Sequence, residues 1–153
     1  MESDFKPTRL LPPTYLLASI VLMVTLDHFI PLRRIVEPPW TRLGMVPIVL
    51  GVAIVGVCAW AFRKRRTTIK PFEESTELIE DGCYRFSRNP IYASMGMILV
   101  GAAWLLGTVT PWVVVPLFLV VISQQFIVHE ETMLTEKFGE RYEQYRHRVR
   151  RWL

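Results

Sequence analysis

Two short polar clusters in an otherwise apolar chain hold the residue types that can do chemistry. The first is Gly82-Cys83-Tyr84-Arg85-Phe86-Ser87-Arg88-Asn89-Pro90-Ile91-Tyr92, with two phenols, two guanidinium groups and an amide in one run. The second is Glu130-Glu131, followed along the chain by Tyr142 and Tyr145. Paired acids beside arginines and tyrosines can grip a ligand that carries both signs of charge. Guanidinium groups fork onto carboxylates, and carboxylates accept from ammonium and hydroxyl donors. The same residues can also form an interfacial belt of tyrosines with the charges tied up in salt bridges. Residue types alone leave both readings open. Metal chemistry has little to work with, and no metal site is expected: His28, His129 and His147 are isolated, and no HExxH or CxxC spacing occurs.

The elements that must position these clusters are membrane helices. The chain has 153 residues, the size of one domain, here residues 1–153. Its apolar share of 51% and charged share of 21% would suit a soluble protein. The segregation does not: the charge lies in three blocks and the apolar residues in four runs, which suits a membrane protein. The runs are Thr14–Ile30, Leu43–Phe62, Ile91–Val109 and Trp112–Val128. The second carries no formal charge, and a membrane helix needs ~20 predominantly apolar residues. The first is weaker, with Asp27 and His28 near its end. It reads as a retained helix over a cleaved signal peptide, since no small-residue cleavage site follows Val24. Asp27 is expected near the outer surface, hydrated or paired with Arg33 or Arg34. The expected fold class is all-α, an integral membrane bundle of four transmembrane helices with a cytoplasmic amphipathic C-terminal helix.

Charge sets the orientation. The net charge is +4. Arg63, Lys64, Arg65, Arg66, Lys70, Arg85 and Arg88 lie between runs two and three, and Lys137, Arg141, Arg146, Arg148, Arg150 and Arg151 follow run four. The turn near Gly107–Thr110 is uncharged. The positive-inside rule therefore puts the 63–90 loop and both termini in the cytoplasm, the bacterial inner membrane being the expected location. The 31–42 loop, with Arg33, Arg34 and Arg42, falls outside and mildly opposes the rule. Basic residues gathered at membrane edges argue against nucleic acid as a partner. Cys58 and Cys83 make no disulfide framework.

Local signals refine the picture. Pro31, Pro38 and Pro39 interrupt helix, and Trp40 reads as a headgroup-level anchor. Gly44, Gly51, Ala53 and Gly56 allow close helix packing; they permit a helix-mediated dimer, but the oligomeric state is not readable. Asp81-Gly82 is a turn signal, Asn89 is a candidate helix cap, and Pro90 suits a first helical turn. Gln124 and Gln125 suit either interhelical hydrogen bonds or pocket lining. Leu134, Phe138, Tyr142, Tyr145, Val149 and Trp152 recur at spacings of 4, 4, 3, 4 and 3, one face of a helix that can lie on the membrane or fold back over a pocket. Gly139 reads as a bend. Runs three and four share a tight turn and must be antiparallel neighbours, so both polar clusters meet at one membrane edge. A half-buried pocket of that make-up is a default site hypothesis.

The run Gly82-x-Tyr84-Arg85-x-x-Arg88-Asn89-Pro90-x-Tyr92 and the run Glu130-Glu131-x-x-Leu134-x-x-x-Phe138-Gly139-x-x-Tyr142-x-x-Tyr145-x-x-x-Val149 resemble the isoprenylcysteine carboxyl methyltransferase family, which groups with phospholipid N-methyltransferases. The resemblance covers about half the chain, and the Thr67–Leu78 loop is similar to bacterial members. Two departures stand out: Asn89 occupies a histidine position of the family motif, and Arg150 a proline position. The resemblance implies S-adenosylmethionine as cofactor, bound by about residues 67–153, and transfer of its methyl group to a lipophilic or membrane-embedded acceptor such as a prenylcysteine carboxylate, a lipid amine or a small thiol. It implies Arg88 and Glu131 as catalytic residues, with Tyr84, Arg88, Asn89, Pro90, Tyr92, Glu130, Glu131, Tyr142 and Tyr145 holding the cofactor. Two rival functions remain: an NADPH-dependent membrane reductase, since sterol reductases carry a similar C-terminal motif, and a non-enzymatic membrane component.

Overall fold

The structure, a computed structural model, describes residues 11–64 and 78–152. The expectations for the Thr67–Leu78 loop up to residue 77, and for the basic residues at 65, 66 and 70, lie outside the described residues, as do those for Lys6 and Arg9. Every regular element among the described residues is helical; one isolated antiparallel bridge pairs Arg34 with Thr108.

Helix α1 spans Pro12–Phe29, its two prolines starting it where their missing N–H groups cost nothing. A 3-10 turn at Trp40–Gly44 leads into α2, Met45–Lys64. Helix α3 spans Pro90–Leu106. After 3-10 turns at Trp40–Gly44 and Gly82–Arg85, a third, Thr110–Val113, opens one continuous helical rod made of α4 (Val114–Ile122), a π-helical turn (Ser123–Ile127) and α5 (Val128–Phe138). Helix α6, Glu140–Arg148, follows a bend at Gly139, whose φ of 51° and ψ of −126° suit glycine. Trp40–Lys64 and Thr110–Phe138 are long and apolar enough to cross a membrane, and Pro90–Leu106 is a shorter apolar helix.

Helix α3 is the centre of the bundle. On one side it lies against α2, on the other against α1 and α4. The α2–α3 contact is made by glycines: a Cβ on Gly101 would sit 2.5 Å from the Gly44 carbonyl oxygen, and one on Gly51 would sit 2.8 Å from the Ser94 carbonyl oxygen. Backbones this close gain dispersion contacts that lipid tails cannot replace. Gly56, expected to share this role, faces open space. On the other side Tyr92, Met95, Leu99 and Ala103 of α3 pack with Met23, Val114, Val115, Phe118, Ile122, Phe126 and Ile127.

Run three is helical only to Leu106. Gly107 takes a left-handed conformation (φ 81°), closes the helix on the Ala103 carbonyl and accepts the Ile35 and Val36 N–H groups. Val109 donates to the Arg33 carbonyl, and the Thr110 hydroxyl to the Ile30 carbonyl, so irregular backbone at this end of the bundle is paired, as a membrane protein requires. Asp27 was expected to be hydrated or to meet Arg33 or Arg34; its carboxylate accepts the Thr108 hydroxyl, because this turn delivers Thr108 to it. The Trp40 ring is exposed, and its carbonyl accepts Trp104 Nε1 at 3.0 Å.

The rod does not end at Val128. The π-helical turn adds a residue to the ring closed by the Val128 N–H on the Ser123 carbonyl, which turns both Phe126 and Ile127 into the core. Helix then continues through Glu130 and Glu131. The predicted amphipathic face divides. Leu134, Phe138, Tyr142, Tyr145 and Val149 gather on Leu78 in a second small core, while Trp152 packs against the main one. Helix α6 therefore folds back over the polar edge; its buried face holds Tyr142 and Tyr145.

Candidate functional site

The predicted residues converge where the start of α3, the start of α5 and α6 meet. Pro90 opens α3 and is buried. Asn89 stands in the N-cap position, but its side chain makes no cap. Its amide turns away and donates to the Arg151 carbonyl at 3.0 Å, while Ser87 Oγ takes the Asn89 N–H at 3.1 Å. The structure thus corrects the capping role expected for Asn89.

One turn either side of this point the two acids find different partners. Glu131 pairs with Arg88 (Nη1 to Oε1, 3.0 Å), the two side chains being 9% and 11% exposed. It also receives Arg151 in a fork, Nε to Oε1 at 3.1 Å and Nη2 to Oε2 at 2.6 Å. Arg88 Nη1 also donates to the Tyr142 hydroxyl at 3.4 Å. Glu130 accepts the Tyr92 hydroxyl at 2.6 Å and has no guanidinium partner among the described residues. The two carboxylates are adjacent in sequence yet electrostatically distinct: one sits between two cations, the other beside a neutral phenol.

The tyrosines of the far wall are tied to the first polar cluster. The Tyr145 hydroxyl donates to the Tyr84 carbonyl at 2.7 Å, and the Tyr84 ring meets Phe62 of α2 edge-on at 5.8 Å. Burial pushes the Tyr84 hydroxyl well above the ordinary tyrosine range, with the Cys58 thiol and the Glu130 carboxylate adding to it. Burial likewise raises Tyr145, and it raises Tyr142 with help from Glu131 and against Arg88. All three are neutral hydrogen-bonding groups near pH 7. Cys58 and Cys83 are free thiols that lie against each other beneath Tyr84. A cleft of about 260 Å³ runs along α5 beside this constellation, lined by Glu131, Thr132, Thr135, Glu136 and Arg146 with Val128.

Two buried donors are left over, Trp112 Nε1 away from the site and Arg88 Nε within it. Arg88 Nε has no hydrogen-bond partner among the described residues, and an N–H that is unpaired in a dry site carries a desolvation penalty that a bound acceptor would remove. Sequence reasoning missed two contributors, Ser87 and Arg151. Arg151 had been counted with the basic residues of the tail. No sequence signal marked it out, because its place depends on the chain turning back after Arg148.

Comparison with known proteins places this arrangement. The phospholipid methyltransferase profile matches residues 40–141, about two thirds of the chain. An uncharacterised protein of Haemophilus influenzae is 43% identical over 63 residues, which is 41% of this chain and 100% of that one. The protein-S-isoprenylcysteine O-methyltransferase of Schizosaccharomyces pombe is 36% identical over 72 residues, 47% of this chain and 30% of the yeast protein. Among solved structures, the eukaryotic intramembrane Ras methyltransferase, an isoprenylcysteine carboxyl methyltransferase, superposes with a TM-score of 0.66 at 18% identity, over 92% of this chain and 51% of that one. The chain thus spans about half the length of that enzyme and less of the yeast relative. By the profile match the chain belongs to the phospholipid methyltransferase family, and it shares its fold with the solved isoprenylcysteine carboxyl methyltransferase.

Proposed function

We propose that this protein moves a methyl group from S-adenosylmethionine to a lipophilic acceptor at the cytoplasmic edge of a bacterial inner membrane. The observation that carries the reading is the buried Arg88–Glu131 pair, with Arg88 Nε unpartnered and Glu130 without a cation among the described residues, in a methyltransferase family fold. The donor has a carboxylate, an ammonium, a ribose diol and an adenine, and the residues present fit each of them. Arg88 suits the carboxylate, Glu130 the ammonium or ribose, and Tyr84 and Tyr92 the ring or hydroxyls. When bound, the donor supplies an electrophilic methyl group on sulfur. Such a displacement asks for alignment and a dry site more than for proton transfer. The protein's own groups match that demand: Asn89 cannot act as a base, and Tyr84, Tyr142 and Tyr145 hold their protons near neutral pH.

Four crossings are part of this reading. Helix α1 has 18 residues and α3 has 17, about 27 and 25 Å of helix, close to the ~30 Å hydrocarbon core. With α2 and the rod as the other two crossings, the site, Arg63, Lys64, the basic face of α6 and both termini fall on the cytoplasmic side in this reading, supported by the positive-inside bias of those cations. The acceptor enters from lipid and the donor from water. A labelled-methyl assay with purified protein and fractionated lipids tests the whole reading: label should appear in a lipophilic product, and label found in none of the fractions would count against it.

A further inference from the structure

Helix α6 ends at Arg148, and the chain then runs back along the start of α3 as a strap, Val149–Trp152. This stretch lies beyond the residues matched by the family profile, which stop at 141. Three bonds hold the strap. The Arg88 N–H donates to the Arg150 carbonyl at 2.9 Å, and the Arg151 carbonyl takes both Asn89 Nδ2 at 3.0 Å and Ser87 Oγ at 3.3 Å. Trp152 packs on the main core and anchors the far end. Between these fixings the Arg151 guanidinium reaches Glu131 although its side chain is 40% exposed. Holding a long, partly exposed side chain in a two-point fork costs rotamer entropy, and a tethered backbone lowers that cost by fixing where the side chain starts.

We propose that Asn89 is a positioning residue that acts through Arg151. By holding the strap, its amide keeps Arg151 on Glu131; Arg151 then neutralises Glu131 and leaves the charge of Arg88 available to the donor's carboxylate. Two guanidinium groups on one carboxylate leave the cluster with a net positive charge, whereas Arg88 with Glu131 alone would be neutral. This inference rests on the proposed use of S-adenosylmethionine. It explains how an asparagine serves at a position where the resembling motif has histidine. The task there is to donate one N–H to a carbonyl, which an amide and an imidazole both do and an aspartate does not.

The test uses full-length protein in detergent and has two arms. Hydrogen exchange of the Arg88 amide, read without any ligand, reports the strap. It should quicken about tenfold or more in Asn89→Ala and Asn89→Asp and stay protected in Asn89→His. Unchanged protection in Asn89→Ala overturns the tether. Calorimetry with S-adenosylmethionine and with its decarboxylated form reports the charge. Asn89→Ala and Arg151→Gln should each bind the intact donor about tenfold more weakly, the double variant no worse than Arg151→Gln, with affinity for the decarboxylated form unchanged. Equal losses for both compounds, or additive losses in the double variant, overturn the coupling. Wild-type protein that binds neither compound overturns the function itself and the Arg88 half of this inference, while the exchange arm still decides the tether.

Discussion

The two neighbouring glutamates separate a structural role from a binding one. Glu131 is buried between Arg88 and Arg151, so Glu131→Gln strands two cations on a neutral amide; unfolding in mixed micelles should show a loss of about 3 kcal/mol. Glu130→Gln keeps an oxygen for the Tyr92 hydroxyl and should cost less than about 1 kcal/mol of stability. It should nonetheless weaken donor binding more than tenfold, read by calorimetry. Tyr145 gives a pH dependence. Its pKa is raised by burial, so the folded state holds the proton more tightly than the unfolded state, whose value is about 10. Its contribution is complete below pH ~10 and is lost as pH rises beyond that, so stability should fall in the alkaline range and fall less steeply in Tyr145→Phe. Arg88, Glu130 and Glu131 were legible as candidates in the sequence because a tight turn between two apolar runs must bring the polar segments at their other ends together. Arg151 was not legible as a partner of Glu131. Its place depends on the chain turning back after Arg148 and on an asparagine amide that pattern alone reads as a helix cap.

At the scale of elements, helix positions were legible and helix ends were not. Long apolar runs fixed α1, α2, α3 and the start of the rod to within a few residues, since little else satisfies backbone in lipid, while the rod runs past the expected end at Val128 to Phe138. The end of α3 depends on the left-handed Gly107 and its hydrogen bonds to Ile35 and Val36, a contact between segments far apart in sequence. The π-helical turn was equally hidden, since it pairs with the burial of both Phe126 and Ile127. Small residues were flagged along run two, but the sequence could not tell Gly44 and Gly51, which meet α3, from Gly56, which does not. The two classes should behave differently. Gly101→Ala drives a methyl group into the Gly44 carbonyl and Ile48, with an expected loss of about 1–3 kcal/mol, and Gly56→Ala should change stability by less than about 0.5 kcal/mol. Unfolding of both variants in the same micelles checks this.

At the scale of the molecule, a bundle centred on α3 carries the exposed cations Arg63, Lys64, Arg85, Arg141, Arg146 and Arg148 near the same end as the candidate site, against the exposed Arg33, Arg34 and Arg42 at the other. A folded-back α6 closes the end that holds the site. This gathering gives the proposed orientation a physical basis, because anionic headgroups and the positive-inside bias act on the same residues. In the proposed orientation the approaches divide, water reaching the strap and α6, lipid reaching α1, α2 and the rod. The α3–rod hairpin is what turned two separate polar motifs into one constellation, and its tight outer turn was readable from the uncharged Gly107–Thr110 stretch. Calorimetric titration of the purified full-length protein with S-adenosylmethionine tests the central claim most directly. The expected result is saturable heat at one donor per chain, strongly reduced in Glu130→Gln. No heat from wild-type protein that still unfolds cooperatively would contradict it.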